Sequence, residues 1–236
     1  TRKESSAASD VYKRQALCSG LVLFGFDGEE LKILIYRKKD DPYRGALTIP
    51  SKYVAPDTSN ECVVQTMLKE NIGIDDKNIY VEQLKAFVKV FRNPLGRVVN
   101  VAYYALVKLT PEIEKEAEKR NGLWVKYNEI PDLAFDHNEI ISYAKERVKR
   151  RVKRRPIGFH LLPKEFTIAQ LQSLYEKALD RELDKRNFRK KIFNSNLIIE
   201  TGNTTDPKEY RKVAKLYRFD EEKFEKLSLK GYDFLF

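Results

Sequence analysis

The sequence predicts an α+β protein built as two units, and three observations carry that prediction. The N-terminal half alternates strand-like and helix-like segments. A long, highly charged helix then spans residues 138–155, NEIISYAKERVKRRVKRR. After it come a helix, a turn, a basic helix and two short strands, the order of a winged helix-turn-helix. The division predicted is residues 16–155 for the first unit with its closing helix, and 156–236 for the second.

Elements follow in order. Residues 1–15, TRKESSAASDVYKRQ, are polar and aperiodic, with no apolar stretch of the signal-peptide kind. Asp10–Gln15 reads as translated adaptor DNA, so this segment is expected to be a disordered cloning scar outside the fold. Ala16–Phe26 and Leu31–Arg37 are two apolar, β-branched-rich strands joined by a turn at Phe26, Asp27 and Gly28. Residues 41–58 hold Pro42, Pro50 and Pro56 and predict a loop. Ser59–Asn71 predicts a helix with Ser59 or Asn60 as N-cap and Gly73 just past its end. Ile79–Val90 and Arg97–Leu109 are further strands, the second dense in Val, Tyr and Ala. Thr110–Arg120 is a charged turn or short helix, and Leu123–Val125 another strand. In the 138–155 helix, Ile140, Ile141, Ala144, Val148 and Val152 make the apolar stripe, and Pro156 and Gly158 end it.

In the second unit, Thr167 and Gln170 fit a capping box, and Leu171, Leu174, Tyr175 and Leu179 line one helix face. Asp184 is the N-cap expected for the next helix, with Phe188 and Ile192 facing inward. Leu197–Ile199 and Leu216–Phe219 are the strands of a hairpin, with a polar loop over 200–215.

Charge separates the two units. The chain of 236 residues carries a net charge of +10, yet residues 1–137 are nearly neutral. Residues 138–155 hold 8 basic and 2 acidic side chains. An excess placed so far toward the C-terminus points to a polyanion partner; a solvated helix face is the plain alternative. Arg and Asn make paired hydrogen bonds to guanine and adenine edges, whereas Lys suits phosphates. Lys185, Arg186, Asn187, Arg189 and Lys190 are therefore the expected DNA contacts of the second helix. Lys208, Arg211, Lys212 and Lys215 are expected in the wing, and Thr167 and Gln170 at a phosphate. No apolar run approaches the ~18 residues of a membrane span. Cys18 and Cys62 make no disulfide framework and read as two buried thiols in a reducing cytoplasm. No Ser/His/Asp or Cys/His set supports nucleophilic catalysis, and no cofactor is expected.

One segment carries a family resemblance. Ile49–Ile74, IPSKYVAPDTSNECVVQTMLKENIGI, resembles the Nudix box. Leu68, Glu70, Gly73 and Ile74 match that box. Lys52 stands at its Gly, Thr58 at its first Glu, Thr66 and Met67 at its Arg-Glu pair, and Asn71 at its last Glu. Gly45, Ala46 and Leu47 before Ile49-Pro50 resemble the approach to the box. Trp124-Val125, Pro131 and Leu133–His137 resemble the family's closing strand and helix. The whole chain resembles the Nudix-related transcriptional regulators, and residues 156–176 and 184–192 its sugar-responsive, arabinose-regulator-like branch. The resemblance implies a Nudix-like α/β/α sandwich followed by a winged helix, a homodimer, a pseudo-palindromic DNA operator and a small-molecule effector. A pentose is the first effector expected, and ADP-ribose or another sugar nucleotide the second. Arg37, Arg44, Lys52, Tyr53, Arg92, Tyr103, Asp136 and His137 are the candidate effector contacts. With Glu70 the sole residual acid, no metal and no catalysis are expected. Competing readings are an ADP-ribose-type pyrophosphatase with an atypical metal site, and a docking protein that ignores DNA.

Overall fold

A computed structural model describes residues 16–74, 79–206 and 213–229. The first unit holds β1 (Ala16–Phe26), β2 (Leu31–Arg37), β3 (Leu47–Thr48), β4 (Ser51–Tyr53), α1 (Asn60–Ile72), β5 (Tyr80–Phe87), β6 (Val98–Lys108), α2 (Pro111–Lys119), β7 (Gly122–Lys126) and α3 (His137–Arg154). A 3-10 turn, Ile157–Leu161, leads to the second unit: α4 (Ile168–Leu179), α5 (Lys185–Ser195), β8 (Ile198–Thr204), β9 (Lys215–Phe219) and α6 (Glu221–Ser228).

The sheet runs β3-β2-β1-β6-β5, with β4 also on β1 and β7 also on β2. β1 and β6 pair in parallel, Ala16 opposite Val98 through Phe26 opposite Lys108. Both strands are central, so both faces are covered, and their residues sort by the two-residue period of a strand. Val22, Phe24, Phe26, Ala102, Tyr104 and Leu106 face one side, where Ile140, Ile141, Ala144, Val148 and Val152 of α3 pack on them. Leu21, Leu23, Tyr103, Ala105 and Val107 face the other, under Val63, Val64, Met67 and Leu68 of α1. That is the expected α/β/α sandwich.

Local chemistry sets the element ends. Ser59 caps α1 by accepting the N–H of Cys62, and Gly73 closes it at φ 70°, a left-handed backbone that glycine adopts without strain. Asp27 Oδ1 accepts the N–H groups of Glu29 and Glu30 in the β1–β2 turn. Thr110 caps α2, which settles that segment as a helix.

The winged helix is present too. Thr167 and Gln170 form the full capping box of α4, and Asp184 caps α5 through the N–H of Asn187. Tyr175 and Phe188 meet edge to face, 5.9 Å between ring centroids. Phe166 bridges to Tyr217 beside the β8–β9 pair. Leu171, Leu174, Tyr175, Phe188, Ile192, Leu197 and Tyr217 belong to the same apolar cluster as the α3 face of the sheet. The two units thus share one continuous core.

Several expectations need correction. The 41–58 loop contains β3 and β4, whose two and three residues are too short to show a period. β8 extends to Thr204, so the wing hairpin is tighter than the 200–215 loop expected. Residues 220–229 hold a further helix. Cys18 is buried as expected, but Cys62 is exposed on α1. Residues 1–15 and part of the hairpin, including Lys208, Arg211 and Lys212, lie outside the described residues.

Candidate functional site

The box segment folds as a loop, the short strand β4 and α1, and its side chains are already committed. Lys52 Nζ lies 2.7 Å from Glu70 Oε1, both part-exposed. Asn71 donates its amide to Met67 O at 2.6 Å, and Thr66 its hydroxyl to Cys62 O at 2.9 Å. Met67 is buried in the core under the sheet. A divalent hard cation takes carboxylate, carbonyl and water oxygens. At the positions where the box carries acids one carboxylate remains, Glu70, and a lysine ammonium already neutralises it, while Glu61 lies beside the Tyr103 hydroxyl. The residues present do not fit a magnesium-type site, and among the described residues no cluster of three His, Cys, Asp or Glu forms one elsewhere.

On the α3 face, Arg92 and Asp136 form a bidentate pair, Nε–Oδ2 2.9 Å and Nη2–Oδ1 2.5 Å, with side chains only 4% and 9% exposed. Asp136 stands at the N-terminus of α3, but its carboxylate makes no cap bond because the guanidinium holds it. His137 follows, 3% exposed, with Nδ1 2.7 Å from Thr48 Oγ1. Burial holds its pKa down at about 4 against an opposing pull from Asp136. It packs into the β3–β4 corner of its own unit. Tyr53 is exposed, 3.5 Å from the Asn93 amide. Arg37 donates to Gly45 O and Arg44 pairs with Asp41, both in the β2–β3 loop. That loop approaches His137 through Tyr43, edge-on to Phe135, which in turn contacts the His137 ring. Arg37, Arg44, Tyr53, Arg92, Asp136 and His137 thus lie toward one side, whereas Lys52, paired with Glu70, belongs with α1 on the other. Tyr103 is also on the α1 face, with its hydroxyl 3.1 Å from Gln83 Oε1 and 3.3 Å from Glu61 Oε1.

No local sequence pattern shows how the loop between β5 and β6 is held. Arg92, Asn93 and Arg97 all tie it down, yet Phe91 is 92% exposed. Nor does any such pattern point to Glu82, at which two arginines of α3 converge. Burial alone would raise the Glu82 carboxyl, but hydrogen bonds from Arg151, Tyr80, Arg147 and Tyr104 outweigh it and hold it at about 2.

In the second unit, Phe188 and Ile192 bury one face of α5 and leave Lys185, Arg186, Asn187, Arg189 and Lys190 exposed. None of these four cations joins an ion pair among the described residues. Arg189 lies over the Phe193 ring at 5.9 Å. Lys215 is exposed but paired with Glu200 at 2.8 Å. Thr167 is different. It is 5% exposed, its N–H donates to Gln170 Oε1, and its hydroxyl accepts the Gln170 N–H. The capping box uses the groups expected to meet a phosphate. A cleft of about 1260 Å³ lies at the junction of the units, lined by Arg154, Arg155 and Arg218 together with Glu221, Glu222 and Glu225. Its mixed charge singles out no ligand.

Residues 158–219 match the family described as the NrtR DNA-binding winged helix domain. The chain is 27% identical over 229 residues to the ADPR-responsive transcriptional repressor NtrR of Acinetobacter baylyi, covering 95% of this chain and 87% of that one. It is 27% identical over 123 residues to the ADP-ribose pyrophosphatase of Methanocaldococcus jannaschii, 50% of this chain and 68% of the relative. The crystal structure of Shewanella oneidensis NrtR complexed with a 27mer DNA is 26% identical, with TM-score 0.75 over 86% of this chain and 93% of that one.

Proposed function

We propose that this chain, a Nudix-like domain joined to a winged helix of the NrtR kind, is a transcriptional regulator whose DNA affinity is set by ADP-ribose. The observation that carries the reading is the face of α5. Five exposed polar side chains, four of them cations without an ion pair among the described residues, stand on a helix anchored by Phe188 and Ile192. Arg186, Asn187 and Arg189 read bases, while Lys185 and Lys190 meet phosphates. The wing, including Lys208, Arg211, Lys212 and Lys215, touches the backbone. Two copies of the chain bind a pseudo-palindromic operator as a homodimer.

ADP-ribose replaces the pentose as first choice. A relative that aligns with nearly the whole chain is named for its response to ADPR, and none of the relatives named above is described as responding to a sugar. Lys52 and Tyr103, which both meet acids of α1, are the proposed contacts on one face of the sheet; Arg37, Arg44 and Tyr53 belong to the other, beside Arg92, Asp136 and His137. Hydrolysis is not part of this reading, because the donor set at Glu70 does not suit a divalent cation. The ligand acts by binding one arrangement of the molecule more tightly than another; equal affinity would shift nothing.

An electrophoretic shift titration tests the reading. Arg186→Ala and Arg189→Ala abolish sequence-selective binding, and ADP-ribose changes the wild-type affinity. Selective binding that survives both substitutions rules out α5 as the reading helix. Magnesium-dependent ADP-ribose cleavage lost in Glu70→Gln instead supports the pyrophosphatase.

A further inference from the structure

α3 joins the sheet of the first unit to the turn that enters the second, so its position bears directly on where the winged helix sits. Its apolar stripe holds it to the sheet without direction, since burial of hydrocarbon is insensitive to small rotations. Hydrogen bonds of His137 and Asn138 fix its first turn, and Lys145 donates to Tyr127 O at its middle; over its last two turns the directional contact is with Glu82. Glu82 of β5 accepts Arg147 Nη1 at 2.8 Å, and Arg151 Nε and Nη2 at 3.1 and 2.7 Å, all on Oε1. Its other oxygen accepts the hydroxyls of Tyr80 at 2.7 Å and Tyr104 at 3.0 Å. The two arginines are one helical turn apart, so a single carboxylate fixes both the height and the rotation of the C-terminal end of α3, the end that leads into the second unit. The Glu82 side chain is 16% exposed, which shields these bonds from water.

The neighbouring residue faces the other way. Gln83 accepts the Tyr103 hydroxyl at 3.1 Å, and that hydroxyl lies 3.3 Å from Glu61 in the first turn of α1. The β5–β6 register shifts between Gln83 and Ala86, immediately past this pair. A second path leaves the same place: the Tyr80 ring stands 5.0 Å from the ring of His160, in the turn leading to α4. Adjacent residues of one edge strand thus hold the box helix on one face and the connecting helix on the other.

We propose that Glu82 is the coupling residue of the regulator: β5 senses the α1 face through Gln83, Tyr103 and Glu61, and sets the position of α3 through Arg147 and Arg151. The proposal rests on the effector-responsive reading above and deepens it. Part-buried charges that lose their partner are costly, so α3 has two discrete seatings in place of a continuous drift. Glu82 contacts neither DNA nor effector and acts only as a positioning residue.

The test uses the full chain. DNA affinity is measured with and without ADP-ribose for wild type and Glu82→Gln, together with ADP-ribose affinity by calorimetry and amide hydrogen exchange along α3. Wild type shows a ratio of effector-free to effector-bound DNA affinity within the roughly 5–150-fold span typical of coupled sites. Glu82→Gln brings that ratio to about one, leaves each affinity measured alone within about threefold, and speeds exchange over residues 143–155. Arg151→Gln, which removes one of the two clamps, gives an intermediate ratio and replaces Glu82→Gln should that variant fail to fold. A wild-type ratio that survives in Glu82→Gln, or unchanged exchange in α3, overturns this proposal alone. A wild-type ratio of one overturns the effector reading and this proposal together.

Discussion

His137 and Cys18 sit beside the same ion pair, and burial shifts each toward its neutral form. The His137 pKa falls to about 4 from an ordinary 6.5, mainly because its ring is removed from water. Between those values the unfolded chain binds a proton that the folded chain refuses. Stability from this residue is therefore complete above pH 6.5 and is lost as pH falls toward 4. Glu82, held at about 2, contributes in a separate window, since its stabilisation is lost only below the ordinary carboxylate value of 4.5. Denaturant titrations between pH 7.5 and pH 4.5 show a fall in wild type that flattens in His137→Gln; superimposable curves remove His137 as the cause. The Cys18 thiol is pushed up to about 11 by burial against a lowering pull from Arg92. An aromatic disulfide reagent at neutral pH thus titrates Cys62 in the folded protein and Cys18 only after unfolding. Residue chemistry of this kind was partly legible. The sequence nominated Arg92, Asp136 and His137, but their pairing needs residues 44 and 89 positions apart to meet, and no local pattern encodes that.

At the scale of elements, the sequence spoke most clearly where one face alternates or one stripe repeats. β1 and β2 fall at the bounds read from their apolar runs because each is enclosed by tertiary structure over most of its length. The stripe of α3 and the capping residues Ser59, Thr167 and Asp184 were readable for the same reason: their signal lies within four residues. β3 and β4 were missed because two or three residues show no period, and α6 because Phe224 and Leu227 alone mark its inner face, each only half-buried against the core. Thr167 shows how an element can claim a residue that its chemistry offered to a ligand. Thr167→Ala removes the cap of α4 and lowers stability by about 1 kcal/mol. It leaves the DNA affinity of the folded protein unchanged. A loss of affinity comparable to that of Arg186→Ala, with no loss of stability, returns the residue to the phosphate.

The whole molecule divides by charge but not by packing. Its basic excess lies from α3 onward, which predicts binding that weakens steeply with salt as phosphate neutralisation releases counterions. Lys190→Ala reduces the slope of log affinity against log salt by about one, evenly across sequences, whereas Arg186→Ala relaxes sequence preference. A slope near zero in wild type is incompatible with phosphate contacts on α5. The apolar cluster, by contrast, runs without a break from the sheet through α3 to Leu171, Phe188 and Tyr217. Such a chain has no slack tether on which its reading heads can wander. In the paired assembly proposed above, each seating of α3 sets its own gap between half-sites, like teeth cut in one key. A single inserted base pair, which turns one half-site by about 35° relative to the other, is then met by misfit instead of by stretch.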